Sequence, residues 1–259
     1  VLMASPVPST RSQVLWDLVC LNIAGFKVVV VHGGGKAVTR VLKQQGIKAQ
    51  FIDGLRVTDE QTIKVVDEVL NGTVNDEVAS FVAKNDCPVQ RIPGKDVLAC
   101  TKLPHSSDLG FVGEIRSVNT GPIQEALDSG VMPVVSSTGS DHLGQCYNIN
   151  ADTAAAQIAI ALHARRLVYL SDVPGLLRNP DDPSSLLSSL AVDQVEPLKN
   201  QGIIAQGMLP KVNSAVDALN AGVNRVHLID GRLAHSILLE IFTDEGIGTE
   251  IIHSESNHE

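Results

Sequence analysis

Three glycines stand at the end of a β-branched run, in Val28-Val29-Val30-Val31-His32-Gly33-Gly34-Gly35. Glycines there let backbone N–H groups turn outward and approach an anion closely. Arg56 lies in Asp53-Gly54-Leu55-Arg56-Val57-Thr58, and its flat fork can hold a carboxylate through two parallel hydrogen bonds. Asn148, Asn150 and Asp152 alternate at a strand-to-helix junction, in Asn148-Ile149-Asn150-Ala151-Asp152. One of them can cap the helix, but three exceed what a cap requires. Asn148 offers an amide both a donor and an acceptor, and Asp152 can orient ammonium groups. Lys211 follows Gly207-Met208-Leu209-Pro210 and opens a helix. A cation there opposes the helix dipole unless a polyphosphate reverses the local field. Each feature also has a plain reading: a tight turn, a solvated arginine, an N-cap, a surface lysine. Together they describe a site for anions.

Several other chemistries are excluded. The eight histidines show no metal-ligand spacing, and no Ser–His–Asp or Cys–His arrangement is visible. The glycine turn is neither a Walker A loop nor a G-x-G-x-x-G fingerprint, so neither P-loop nor Rossmann binding follows. A net charge of -9 argues against a nucleic-acid partner. Cys20, Cys87, Cys100 and Cys146 form no CxxC pair, which suits buried thiols in a reducing, cytoplasmic setting. No run of about 18 apolar residues predicts a membrane span. No signal peptide is visible, because Pro6 and Pro8 interrupt the apolar start. The chain reads as if cut from something longer.

The elements that must position these residues follow from periodicity. Ser9 to Ile23 has a helical apolar period and Gly25 closes it. Residues 28–31, a short continuous apolar run, read as a buried strand in a parallel sheet, and Lys36 to Gly46 reads as a helix. Thr58-Asp59-Glu60 predicts an N-cap, and the helix it opens is expected to stop at Leu70, before Asn71-Gly72. A new helix is expected over 73–84. Short strands with turns follow over 89–92, 97–102 and 111–115. Helices are expected over 120–129, 150–163, 192–200, 212–221 and 233–242. Strands are expected over 132–137, 167–171 and 226–229, with loops at Ser137–Asp141 and Arg178–Ser189. The alternation predicts an α/β protein: a three-layer αβα sandwich with a mainly parallel central sheet. Residues 1–145 are expected to form an N-terminal lobe and 146–259 a C-terminal lobe.

With those pieces in place, the chain resembles the N-acetylglutamate kinases of the amino acid kinase family over about residues 1–252. The resemblance rests on His32-Gly33-Gly34-Gly35, Gly54-Leu55-Arg56-Val57-Thr58, Asp108-Leu109-Gly110-Phe111-Val112-Gly113, Asn148–Asp152, Ser171-Asp172-Val173-Pro174-Gly175 and Gly207-Met208-Leu209-Pro210-Lys211, in the family's order and spacing. It implies phosphorylation of the γ-carboxylate of N-acetyl-L-glutamate by ATP with Mg²⁺, the second step of arginine biosynthesis. By resemblance, Gly34 and Gly35 face the substrate carboxylate and the transferring phosphoryl group. Arg56 holds the α-carboxylate, and Asn148 and Asn150 the substrate's polar atoms. Lys211 stabilises the transition state, and Asp152 organises the catalytic lysines. Asp172, Val173, Gly175, Leu176, Ile203 and Ala205 line the nucleotide site.

The chemistry agrees with that reading. A carboxylate nucleophile is ionised at neutral pH and needs no general base. The barrier is one anion approaching another, which donors and cations gathered on the phosphoryl oxygens lower. One departure matters. The family carries a Lys-x-Gly-Gly element on its first strand, and nothing like it precedes the first helix here, so weak turnover is expected. Residues 239–249 resemble the segment of arginine-inhibited members that receives the effector, with Glu245 and Gly248 as candidates. A homodimer or higher homo-oligomer is implied. The alternatives are another acceptor (carbamate, glutamate, aspartate or UMP) and a non-catalytic arginine or nucleotide sensor.

Overall fold

The computed structural model describes residues 8–204, 207–243 and 246–254. Helix α1 (Pro8–Ile23) leads into strand β1 (Val30–His32), the glycine turn and helix α2 (Gly35–Gln44). A small hairpin, β2 (Phe51–Ile52) and β3 (Leu55–Arg56), carries Arg56. Helix α3 (Glu60–Asp67) begins on Asp59, whose carboxylate accepts the Thr62 N–H. It continues through a π-helical segment, Glu68–Val74, into α4 (Asn75–Lys84).

The helix expected to end before Asn71-Gly72 therefore does not end there. Arg91 explains why: its guanidinium donates to the Asn71 carbonyl at 2.9 Å. The widened turn's freed carbonyl is thus satisfied by a side chain instead of by a chain reversal.

Strand β4 (Val89–Ile92) follows, then β5 (Leu98–Lys102), β6 (Gly113–Val118), α5 (Gly121–Asp128) and β7 (Met132–Ser136). The segment expected as a loop at Ser137–Asp141 is strand β8 (Thr138–Ser140), paired with β9 (Cys146–Asn148). Its polar sequence hid it, because its backbone is recruited by neighbours rather than by apolar alternation. The third strand of the excursion also starts later than expected, at Gly113.

The second half runs α6 (Ala151–Ala161), β10 (Arg166–Ser171), β11 (Ser189–Ala191), α7 (Val192–Asn200), α8 (Leu209–Asn220), β12 (Arg225–Asp230), α9 (Ser236–Phe242) and β13 (Thr249–Ile252). Helix α9 starts three residues later than expected. His235 takes a left-handed φ of 55° immediately before it and donates to the buried Asp17 carboxylate at 2.7 Å.

The central strands form two stacks. One is β1-β7-β4, parallel throughout; the other is β10-β12-β13-β11, parallel except for β12 against β13. Helices cover both faces, as a three-layer αβα architecture requires. Packing is aliphatic. One core draws only on residues 155–251, while another joins α1 to Val30 and Met132 on one stack and to Val168 and Leu170 on the other.

β1 and β10 are the edges of their stacks, and both line a cavity of about 810 Å³ between α1 and α6. Two strand edges facing one apolar space leave two rows of backbone donors and acceptors without a strand partner among the described residues.

The join between the excursion and the central strands is tight at Gly94, whose N–H donates to Ser136 Oγ at 2.8 Å. A Cβ there would lie 2.0 Å from the Ser136 carbonyl oxygen. Because that neighbour is backbone, Gly94→Ala is expected to lower the unfolding free energy by about 3 kcal/mol in urea titration.

Candidate functional site

The glycine turn is shaped from three sides. Gly33 lies against Ala151 at the start of α6, where an added Cβ would meet the alanine Cβ at 3.0 Å. Gly34 lies against the π-helical segment, and an added Cβ would come within 2.6 Å of Leu70 Cδ2. Gly35 gives its carbonyl to Arg56 Nη2 at 2.9 Å. Helix α2 has Gly34 as its N-cap and no side-chain cap. Its first-turn N–H groups are left to a ligand or to water, and the dipole adds partial positive charge there.

Arg56 is only 8% exposed. Its Nη2 donates to Thr39 Oγ1 as well as to Gly35, and its guanidinium stacks over Phe51 at 4.7 Å. Nη1 is buried without a hydrogen-bond partner. Burial pulls the guanidinium pKa below its ordinary value. Among the described residues no carboxylate pairs with it, so this buried cation lacks its counter-ion.

Asn148 Nδ2 donates to Thr58 Oγ1 at 3.2 Å, and Thr58 Oγ1 donates to the Arg56 carbonyl. That chain ties β9 to the Arg56 hairpin. Asn150 is the N-cap of α6, its oxygen accepting the N–H groups of Asp152 and Thr153. What Asn150 can offer a ligand is therefore its NH₂ group.

Asp152 takes the Lys211 ammonium on both oxygens, at 2.7 and 2.6 Å. Lys211 is 8% exposed and sits 5.6 Å above the Tyr169 ring. Tyr169 in turn donates its hydroxyl to the Asp152 carbonyl. The lysine, in the first turn of α8, is thus held against the first turn of α6, whose Ala151 lies against Gly33. The sequence-predicted residues Gly33, Gly34, Gly35, Arg56, Asn148, Asp152 and Lys211 form one connected group.

The second cluster lies at the carboxyl end of β10. Asp172 is exposed there and Val173 half-buried. Gly175 has a φ of 150°, and an added Cβ would come within 2.6 Å of Thr249 Oγ1. Leu176 is core: it is buried, and its N–H donates to Thr249 Oγ1 at 2.8 Å. It supports the turn from below. Ile203 packs against the C-terminal core. Ala205 and Glu245 lie outside the described residues. Gly248 donates its N–H to Glu240 Oε2 at 3.0 Å.

Two buried polar clusters escaped the sequence reading. Glu240 accepts from His227 Nδ1 at 2.7 Å and from the Ile247 and Gly248 N–H groups, and these bonds hold its carboxyl below the usual range against the opposing effect of burial. His32 and Asn75 form the other cluster, and burial lowers the His32 pKa to about 4. The available signal was a single polar residue inside an apolar run, as in Val226-His227-Leu228 or Leu239-Glu240-Ile241.

The family model for the amino acid kinases matches residues 11–230. The chain belongs to the amino acid kinase family. This kinase is 46% identical over 250 residues to an acetylglutamate kinase of Carboxydothermus hydrogenoformans, covering 92% of this chain and 85% of that one. It is 44% identical to an acetylglutamate kinase of Archaeoglobus fulgidus, covering 91% and 85%. Among solved structures it resembles the N-acetylglutamate synthase of Neisseria gonorrhoeae. The complex with coenzyme A and N-acetyl-glutamate matches at a TM-score of 0.85 and 28% identity, covering 96% of this chain and 57% of that one. The complex with coenzyme A and L-arginine matches at 0.80 and 27%, covering 96% and 59%. The fold class expected from the sequence holds.

The Asp152–Lys211 pair gives a direct test of the site's electrostatics. Removing one partner leaves a buried charge uncompensated, so Asp152→Asn is expected to cost about 3–5 kcal/mol of stability. Asp152→Asn combined with Lys211→Met should recover most of that loss, giving a large coupling energy in a urea double-mutant cycle.

Proposed function

We propose that this kinase transfers the γ-phosphoryl group of ATP to the γ-carboxylate of N-acetyl-L-glutamate, giving N-acetyl-L-glutamyl 5-phosphate and ADP. The observation that carries the reading is Arg56: a buried guanidinium, one nitrogen unpaired, beside an uncapped helix N-terminus. Such a group is complete only with an anion, and its fork fits the α-carboxylate. With that end held, the γ-carboxylate is directed to the glycine turn. A carboxylate oxygen then attacks the γ-phosphorus as the bond to the β–γ bridging oxygen breaks, and no proton need move.

The residues have separable tasks in this reading. The Gly34 and Gly35 N–H groups face the acceptor's γ-carboxylate and the transferring phosphoryl group, and Lys211, held by Asp152, neutralises charge from the nucleotide side. Asn148 and the Asn150 NH₂ face the substrate's amide. Asp172, Val173, Gly175 and Ile203 border the nucleotide, with Leu176 beneath them; Ala205 stays part of the same proposal. Among the described residues no group of three His, Cys, Asp or Glu side chains could hold a metal. Mg²⁺ is proposed to come with ATP, where it would supply charge neutralisation on the phosphates. Residues 1–145 and 146–259 are proposed as the lobes for acceptor and nucleotide.

Three further assignments belong to the same proposal. The likeness to a structure solved with L-arginine supports an arginine effector acting at residues 239–249. The four free cysteines support a reducing, cytoplasmic setting. The homodimer or higher homo-oligomer rests on the family resemblance. No helix among the described residues is long and apolar enough to cross a membrane.

The sensor alternative is a chain of this fold that binds both ligands and turns over little.

Two experiments separate these readings. In calorimetry, Arg56→Lys is expected to weaken N-acetyl-L-glutamate binding about ten- to a hundredfold and leave ATP binding within about twofold. Carbamate, glutamate, aspartate or UMP outcompeting N-acetyl-L-glutamate as acceptor would instead replace the substrate. With ATP and N-acetyl-L-glutamate both bound, ADP release is expected in a coupled assay, and Lys211→Met is expected to slow it at least about tenfold. Bound ligands without ADP release would support the sensor.

A further inference from the structure

His32 touches no ligand-facing atom of its own, yet it is the only polar side chain in its strand and is 4% exposed. Its Nδ1 lies 3.0 Å from the Gly33 carbonyl oxygen, and its Nε2 lies 3.1 Å from Asn75 Nδ2. The orientation of the Asn75 amide decides which ring nitrogen carries the proton. Arg91 Nε, which can only donate, meets Asn75 Oδ1 at 3.3 Å. The Val134 carbonyl, which can only accept, meets Asn75 Nδ2 at 3.0 Å. Both partners demand the same orientation, with the NH₂ group toward His32. Nε2 must therefore accept, so Nδ1 bears the hydrogen and donates it to Gly33. Burial keeps the ring neutral, which preserves this arrangement at neutral pH.

The consequence falls on the next residue. The Gly33–Gly34 peptide is trans and planar, so the Gly34 N–H points opposite to the Gly33 carbonyl. A carbonyl held against His32 turns that N–H away from the strand, toward the mouth of α2. Leu70 and Val74 hold the Gly34 Cα on the other side. Arg91 serves both supports, because it also clamps the Asn71 carbonyl of the π-helical segment.

We propose that His32 and Asn75 are positioning residues for phosphoryl transfer: Asn75 selects one imidazole tautomer, and that tautomer fixes the Gly33–Gly34 peptide so that the Gly34 N–H faces the reacting anion. The inference rests on the glycine turn being the anion site of the proposed kinase.

The test uses ¹⁵N-labelled chain at pH 7. Long-range proton–nitrogen spectra should show His32 protonated on Nδ1 and bare on Nε2. In Asn75→Asp the carboxylate can only accept, so the ring should gain a proton on Nε2. Gly34 amide exchange should then quicken at least about tenfold. The Kd for N-acetyl-L-glutamate should rise about tenfold while that for ATP stays within about twofold. His32→Asn, whose amide nitrogen can still reach Gly33, should keep acceptor affinity within about threefold, and His32→Leu should lose it. These two variants decide the matter if Asn75→Asp does not fold. A wild-type ring protonated on Nε2 overturns the proposal. So does an altered tautomer with Gly34 exchange unchanged, or equal affinity in His32→Asn and His32→Leu. If the wild-type chain binds no N-acetyl-L-glutamate, the kinase reading fails by itself, while tautomer and Gly34 exchange still decide this inference.

Discussion

Two negative groups must be brought to bonding distance, and the repulsion between them is the constraint on which this structure depends. Unit charges a few ångströms apart in a poorly hydrated site interact with several kcal/mol. The fold answers with fixed positive charge placed before any ligand arrives. Arg56 is buried with one nitrogen unpaired, α2 opens without a side-chain cap, and Lys211 is directed by Asp152. Each feature is unfavourable or neutral in isolation. Together they form an arrangement whose missing component is an anion.

Holding these charges apart without a ligand requires rigid support, and the support is polar, buried at His32, Asn75, Ser136 and Thr138 and half-buried or exposed at its outer members. Asn71 accepts hydroxyl hydrogens from Ser136 and Thr138, and Lys95 pairs with Asp67. Arg91 links that group to Asn75, and Asn75 to His32. The network runs from the π-helical segment through β7 to the glycine turn. Buried polar groups that are fully partnered specify one arrangement more sharply than apolar packing does. The aliphatic cores supply stability instead, and α1 spans both strand stacks.

Much of the site was legible in the sequence because it is built from short local motifs. A glycine run after a β-branched strand predicts its own turn, and Asn150 capping α6 follows from residue type and place. The regular helices and buried strands were legible for the same reason, through apolar period. The exceptions share a physical cause. The helix through Asn71-Gly72 persists because Arg91, distant in sequence, satisfies its carbonyl. Strand β8 has no apolar alternation and is held by pairing with β5 and β9. Leu176, just beyond β10, is buried in the core and gives its N–H to Thr249 Oγ1, a partner 73 positions away.

By itself, the sequence determined the chemical inventory: which turn could receive an anion, which cations were available, and that no general base was needed. Local hydrogen bonding and side-chain type suffice for those properties. Only the tertiary structure decided which charges are paired and which are not. Asp152 and Lys211 are 59 positions apart and become one ion pair, whereas Arg56 is buried with no acid paired to it among the described residues. Only the tertiary structure, too, showed the hydrogen-bond partners around the His32 ring and, among the described residues, the facing edges of β1 and β10. Burial and long-range hydrogen bonding depend on what the chain brings near a residue, and neighbours in sequence carry no record of that.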